Sequence, residues 1–239
     1  MEAMPTLYLF QETPARGPWS GPEPPPEAEG PAREPMFNAP WPALALVAVI
    51  VGGYAVQSRF SLEALAQALA FSPADLTQGR WWTLVTALFL HGNWAHAIMN
   101  GAFALAFATP VARFFGGRAL GLTMFFAFYL VCGVLSSLGY AAVHWGGTGA
   151  LIGASGAVSG LMGAASRLIA GGGRIGRIVS PAVIGMGAAW IIVNVLVGVL
   201  GSAFVPGTGG AGIAWEAHLA GFAAGVLLVT PFAWAARRL

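Results

Sequence analysis

The chain has 239 residues, 57% of them hydrophobic and only 8% charged, with a net charge of +2. Soluble domains carry about a quarter charged residues, so this composition excludes a soluble globular protein and indicates a multispan membrane protein. The eleven basic residues are all Arg and are dispersed along the chain, which excludes a nucleic-acid-binding face. Together with the Ala and Gly richness, the absence of Lys points to a GC-rich, bacterial genome.

Residues 1–38 differ from the rest. They hold six of the nine acids (Glu2, Glu12, Glu23, Glu27, Glu29 and Glu34) and a Pro cluster from Pro22 to Pro26. Such a segment cannot bury enough apolar area to offset its ordering entropy and is expected to be a disordered tail. It lacks a basic start followed by an apolar run, so it is not a signal peptide. Leu7-Tyr8-Leu9-Phe10 reads as a stray apolar patch rather than a lipid contact.

Residues 39–239 are expected to form one all-α, polytopic domain. A spanning helix needs about 20 apolar residues, and six candidates run near 41–57, 93–112, 119–142, 155–170, 179–200 and 215–235. With the N-terminus cytoplasmic, Arg16, Arg33, Arg113, Arg118, Arg167, Arg174, Arg177, Arg237 and Arg238 all fall inside. Only Arg59 and Arg80 fall outside. The positive-inside rule therefore predicts both termini on the cytoplasmic side. The longest outer connection, 58–92, begins with an amphipathic stretch near Phe60–Leu65. It also carries Trp81-Trp82, residues suited to the membrane interface. The outer loop 201–214 is Gly-rich and expected to be mobile. Cys132, the one cysteine, reads as a small packed hydrophobe.

The fourth span, Ser155–Ala170, is only about 24 Å long at 1.5 Å per residue, short of the roughly 30 Å hydrocarbon core. Pinned at its cytoplasmic end by Arg167 and Arg174, its head must start below the outer surface. Ser155 therefore lies in a depression reached from outside. His218 lies three residues into the sixth span, which starts from the same side. A reactive hydroxyl and a titratable base are thus brought to similar depth, where either is costly without a purpose. Gly156, Gly160 and Gly163 on the fourth span, and Gly221 and Gly225 on the sixth, allow close helix approach. Such packing would bring Ser155 and His218 within hydrogen-bond reach.

On the second span, His96 and Asn100 are four apart and share a face. They are placed to donate jointly to one oxygen, together with the Ser155 N–H at a helix start. His91 faces elsewhere and reads as structural; His144 reads as a solvated loop residue. Asn194, polar at membrane depth, is expected to bond to a neighbouring helix. A metal site using His96 and His218 is the competing reading. It lacks a His-Glu-x-x-His run, and no acid lies within an inner span.

These features resemble the rhomboid family of intramembrane serine proteases. The likeness rests on Gly153-x-Ser155-Gly156, His96-x-x-x-Asn100 with His91 five before it, Ala217-His218-x-x-Gly221, and the six-span order. It covers about residues 41–237. It implies a Ser155–His218 dyad without a third acid, and an oxyanion hole of His96, Asn100 and the Ser155 N–H. It implies no cofactor, and transmembrane protein substrates cut near their outer ends after small residues. The protein would sit in a bacterial inner membrane, with loop 201–214 capping the site and the fifth span moving to admit a substrate helix. The family often carries a Tyr four positions after the nucleophile, supporting the base; here Ser159 stands there. Its hydroxyl either bonds back to the Ser155 carbonyl, the favoured reading, or reaches His218. The family's outer loop often carries Trp-Arg; here Arg80 precedes Trp81-Trp82. The alternatives are a catalytically silent, rhomboid-like membrane-protein binding factor, and a transporter or channel. The first would lack Ser or His, and the second lacks paired broken helices.

Overall fold

The computed structural model describes residues 38–200 and 212–237. The expected disordered tail, and all but the last residues of the expected mobile loop 201–214, lie outside these.

Six apolar helical segments form a bundle, at nearly the boundaries expected. The first is continuous from Trp41 to Gln57. It comprises α1 (Trp41–Val47), a π-helical stretch (Ala48–Gly52) and α2 (Gly53–Gln57). Pro42 starts it at a position where a missing N–H does no harm. Two short helices follow, α3 (Leu62–Leu69) and α4 (Thr83–Thr86). The remaining long helices are α5 (Trp94–Phe115), α6 (Ala119–Val143), α7 (Ser155–Ala170), α8 (Pro181–Leu200) and α9 (Trp215–Ala235). The helix boundaries have local causes. Asn93 caps α5 by accepting from the His96 N–H at 2.9 Å. Gly116, at φ +80°, ends it in a conformation that side chains disfavour.

Helices α5, α6 and α9 are long and apolar enough to cross a membrane; Trp41–Gln57 and Pro181–Val197 are shorter apolar helices. Large apolar side chains such as Ile98, Val131, Ile184, Ile192 and Leu227 are exposed on the bundle's outside. That is the arrangement for contact with lipid rather than water. The 16-residue α7 is different: every residue from Gly156 to Leu168 is buried. It is enclosed by α5, α6, α8 and α9, so its length need not match the hydrocarbon thickness.

Parallel packing of α7 on α9 sets the geometry. A Cβ added to Gly221 would overlap the Gly156 carbonyl, and one on Gly225 would overlap the Gly160 carbonyl. Both pairs advance by four residues in the same direction. The two helices therefore run side by side in register, with backbones in contact. Cys132 of α6 lies fully buried against Gly160, as a small packed hydrophobe should.

At the end of α7 away from Ser155, Phe115, Phe125, Phe128, Leu161 and Val229 form the core. There Arg167 is 5% exposed. Its guanidinium donates to the Gly176 carbonyl (2.6 Å), the Val226 carbonyl (2.7 Å) and Thr230 Oγ1 (3.2 Å). Neutral acceptors thus take three of its five N–H groups, and the middle of the 171–180 connection is tied to α9 through Arg167.

The connection 58–92 is a folded buttress. The expected amphipathic start is α3, capped by Ser61. Phe71, fully buried, exchanges two backbone hydrogen bonds with Leu151 (3.1 and 2.7 Å), and the Ala74 N–H reaches the Gly147 carbonyl at 3.0 Å. Arg80 pairs with Asp75 at 3.2 Å and caps α3 through the carbonyls of Gln67 and Ala68. Trp81 and Trp82 remain more than half exposed. This segment therefore grips the 144–154 loop that leads into α7.

Candidate active site

Ser155 is the first residue of α7. The turn before it is held from two sides. The Gly153 N–H donates to the Ala87 carbonyl at 2.9 Å, and the Ala154 N–H points at His91 Nε2 at 3.5 Å. His91 is itself clamped by Gln57. That side chain donates to the His91 carbonyl at 2.6 Å and accepts from its N–H at 3.0 Å. His91 is fully buried and holds the turn, which agrees with its structural reading. Gly153 has φ +119°, a conformation only glycine adopts readily. A Cβ there would stand 2.9 Å from His96 Nε2 and 3.8 Å from Ser155 Oγ. Glycine thus preserves a small space shared by the Ser155 hydroxyl and the His96 ring.

His218 Nε2 lies 2.8 Å from Ser155 Oγ. The register of α7 on α9 produces this: Ser155 precedes the crossing at Gly156, and His218 is one turn before the crossing at Gly221. Ser136 of α6 fixes the same turn of α9 by donating to the Ala217 carbonyl at 2.8 Å.

His96 Nδ1 accepts from the Gly92 N–H at 3.3 Å. In a neutral ring with Nδ1 accepting, the proton resides on Nε2, the atom beside Gly153. His96 therefore presents a donor to the space next to Ser155. Asn100 is buried, and one of its amide N–H bonds goes to the His96 carbonyl at 3.0 Å. It lines an apolar cavity with Ser155, Ser159, Phe103 and Trp190. Ser155 is what these residues share: His218 contacts its hydroxyl, His96 stands near it across Gly153, and Asn100 lines the cavity with it.

Ser159 is buried and donates to the Ser155 carbonyl at 2.7 Å, the local back-bond expected of a helix Ser. The ring beside His218 comes from another helix. Trp190 of α8 lies with its ring centroid 5.6 Å from that of His218, tilted by 36°. Four residues on, Asn194 Oδ1 is 2.7 Å from His218 Nδ1. Asn194 does bond to a neighbouring helix, as expected, but its partner is the imidazole itself. Sequence reasoning missed Trp190 and underrated Asn194, although an amide in an otherwise apolar helix was the available signal.

His144 is exposed just past the end of α6, as expected of a solvated loop residue, and it also has a partner. It pairs with Glu216 at 3.0 Å and its ring packs on Tyr140 at 4.5 Å. This joins the end of α6 to the first turn of α9, two residues before His218.

No curated protein matches the chain. The Rhomboid domain family model matches residues 78–235, more than half of the sequence, a stretch that includes every residue of this site except Gln57. Members of this family are generally intramembrane proteases. With its all-helical bundle, buried glycine-lined central helix and this match, the chain belongs to the rhomboid family.

Proposed function

We propose that the protein is an intramembrane serine endopeptidase that cleaves transmembrane substrates through a Ser155–His218 dyad. The observation that carries this reading is the 2.8 Å contact between Ser155 Oγ and His218 Nε2. It joins the ends of two helices that have no need of polar groups for packing. Ser155 Oγ attacks the scissile carbonyl carbon while its proton passes to His218 Nε2. The carbonyl oxygen becomes an oxyanion, met by His96 Nε2–H, the Asn100 amide and the Ser155 N–H. His218 then gives its proton to the leaving amine, the C–N bond breaks, and an acyl-Ser155 ester remains. Water, deprotonated by His218, attacks that ester; the acid product leaves and Ser155 regains its proton.

The arginine distribution supports a site facing the outer side with both termini cytoplasmic, and the Lys-free, Ala- and Gly-rich composition favours a bacterial inner membrane. The lipid bilayer and transmembrane proteins are then the partners, and the chemistry calls for no cofactor. The test is covalent labelling by a serine-reactive fluorophosphonate alongside cleavage of a transmembrane test substrate. Wild-type protein should label and cleave; Ser155→Ala and His218→Ala should do neither while remaining folded and inserted. Cleavage by a folded Ser155→Ala variant would refute the assignment of the nucleophile.

A further inference from the structure

Asn194 stands out on α8. Over residues 181–197 of that helix, only Val183 and Asn194 are buried. Between residues 190 and 197 the one deeply buried residue is therefore a polar amide, 4% exposed. An amide removed from water is costly unless its groups are paired. Here both ends are used. Nδ2 donates to the Trp190 carbonyl at 2.8 Å, and Oδ1 lies 2.7 Å from His218 Nδ1.

These two bonds constrain the proton on the base. A backbone carbonyl only accepts, so the atom facing the Trp190 oxygen must be the NH₂ group. The atom facing His218 is then the amide oxygen, which also only accepts. His218 Nδ1 must therefore carry a hydrogen. In a neutral ring this leaves Nε2 as a bare lone pair, and Nε2 is the atom 2.8 Å from Ser155 Oγ. A helix carbonyl thus orients an amide, and the amide selects the tautomer able to accept a proton from serine.

We propose that Asn194 is the positioning residue of the base. It holds His218 in the tautomer and orientation needed to deprotonate Ser155, with the Trp190 ring as a second support. The proposal rests on the Ser155–His218 reading of the site. A neutral amide does here what a carboxylate does in three-membered sites, and it does so without burying a charge within the bundle. The base is thereby supported from α8, whereas position 159 on α7 carries a hydroxyl turned to its own helix.

The test uses the full chain in detergent micelles, labelled with ¹⁵N-histidine. There are four histidines, and His218→Gln identifies the His218 signals. In wild-type protein, His218 should show a protonated Nδ1 and a bare Nε2. Asn194→Ala should convert this to a mixture or to the opposite tautomer. Asn194→Leu, branched at the same carbon as Asn and suited to an apolar helix, should do the same if the Ala variant does not fold. Asn194→Asp keeps an acceptor and should keep the wild-type tautomer. In cleavage assays, the Ala or Leu variant should lose kcat by on the order of 10²-fold, short of the ~10⁴ seen when a triad loses its tautomer. KM should change less than about twofold, as for an interaction that acts in the transition state. An unchanged His218 tautomer in a folded Ala or Leu variant overturns the proposal. So does equal loss of kcat in the Asp and Ala variants with an unchanged tautomer in both. If the tautomer responds as expected but wild-type protein neither labels nor cleaves, the positioning role stands and the protease reading fails.

Discussion

Gly221 of α9 rests against the carbonyl oxygen of Gly156 of α7, leaving no room for a Cβ between them. One turn deeper, Gly225 stands in the same relation to Gly160. This contact sets the spacing of Ser155 from His218, because each lies within a turn of the Gly156–Gly221 crossing.

Gly221→Ala should therefore part the two helices at the Ser155 end. The overpacking cost is about 1–3 kcal/mol, visible as a lower melting temperature. Fluorophosphonate labelling of Ser155 should slow as well, because the hydroxyl loses its base. Wild-type labelling in a variant of lowered stability would show that the crossing does not control the dyad.

Asn100→Ala should lower kcat by on the order of 10²–10³, the loss for one oxyanion donor, with KM nearly unchanged. Asn100 lines the same cavity as Ser155 and is anchored through the His96 carbonyl. A defect confined to KM would make it a docking residue instead.

Ser159→Ala should reduce turnover less than about tenfold, which is under roughly 1.4 kcal/mol of transition-state stabilisation. Its hydroxyl is already committed to the Ser155 carbonyl at 2.7 Å. A loss as large as that of His218→Ala, with unchanged melting, would contradict this.

Phe71→Ala should destabilise the segment that grips the 144–154 loop. Phe71 is fully buried and bonded to Leu151 through its backbone; truncating a buried Phe costs about 3–5 kcal/mol. Limited proteolysis should then cut within 58–92 or 144–154 before the bundle opens. Protection equal to wild type would mean that the loop is held from elsewhere.

What the sequence by itself determined was the helices and the two polar groups, Ser155 and His218, that stand out within them. Helix positions follow from apolar run length and from local stops such as Asn93 and Gly116, and these are contacts within a few residues. The glycine spacing in Ser155–Gly163 and Gly221–Gly225 likewise announced a close crossing, since small residues four apart have one obvious use in an apolar helix. Ser155 and His218 stood out because polar groups at membrane depth are costly.

Tertiary structure alone decided how His218 is held. Position 159, one turn from Ser155, was the local place to seek its support, and the hydroxyl there turns back on its own helix. The support comes from Trp190 and Asn194, which are 28 and 24 residues from His218 in the chain and reach it only because α8 packs beside α9. The grip of Phe71 on Leu151, and of Gln57 on His91, is of the same kind. No periodicity encodes such contacts, because each depends on the relative rotation of two elements. That rotation is fixed by the packing of the whole bundle rather than by either segment.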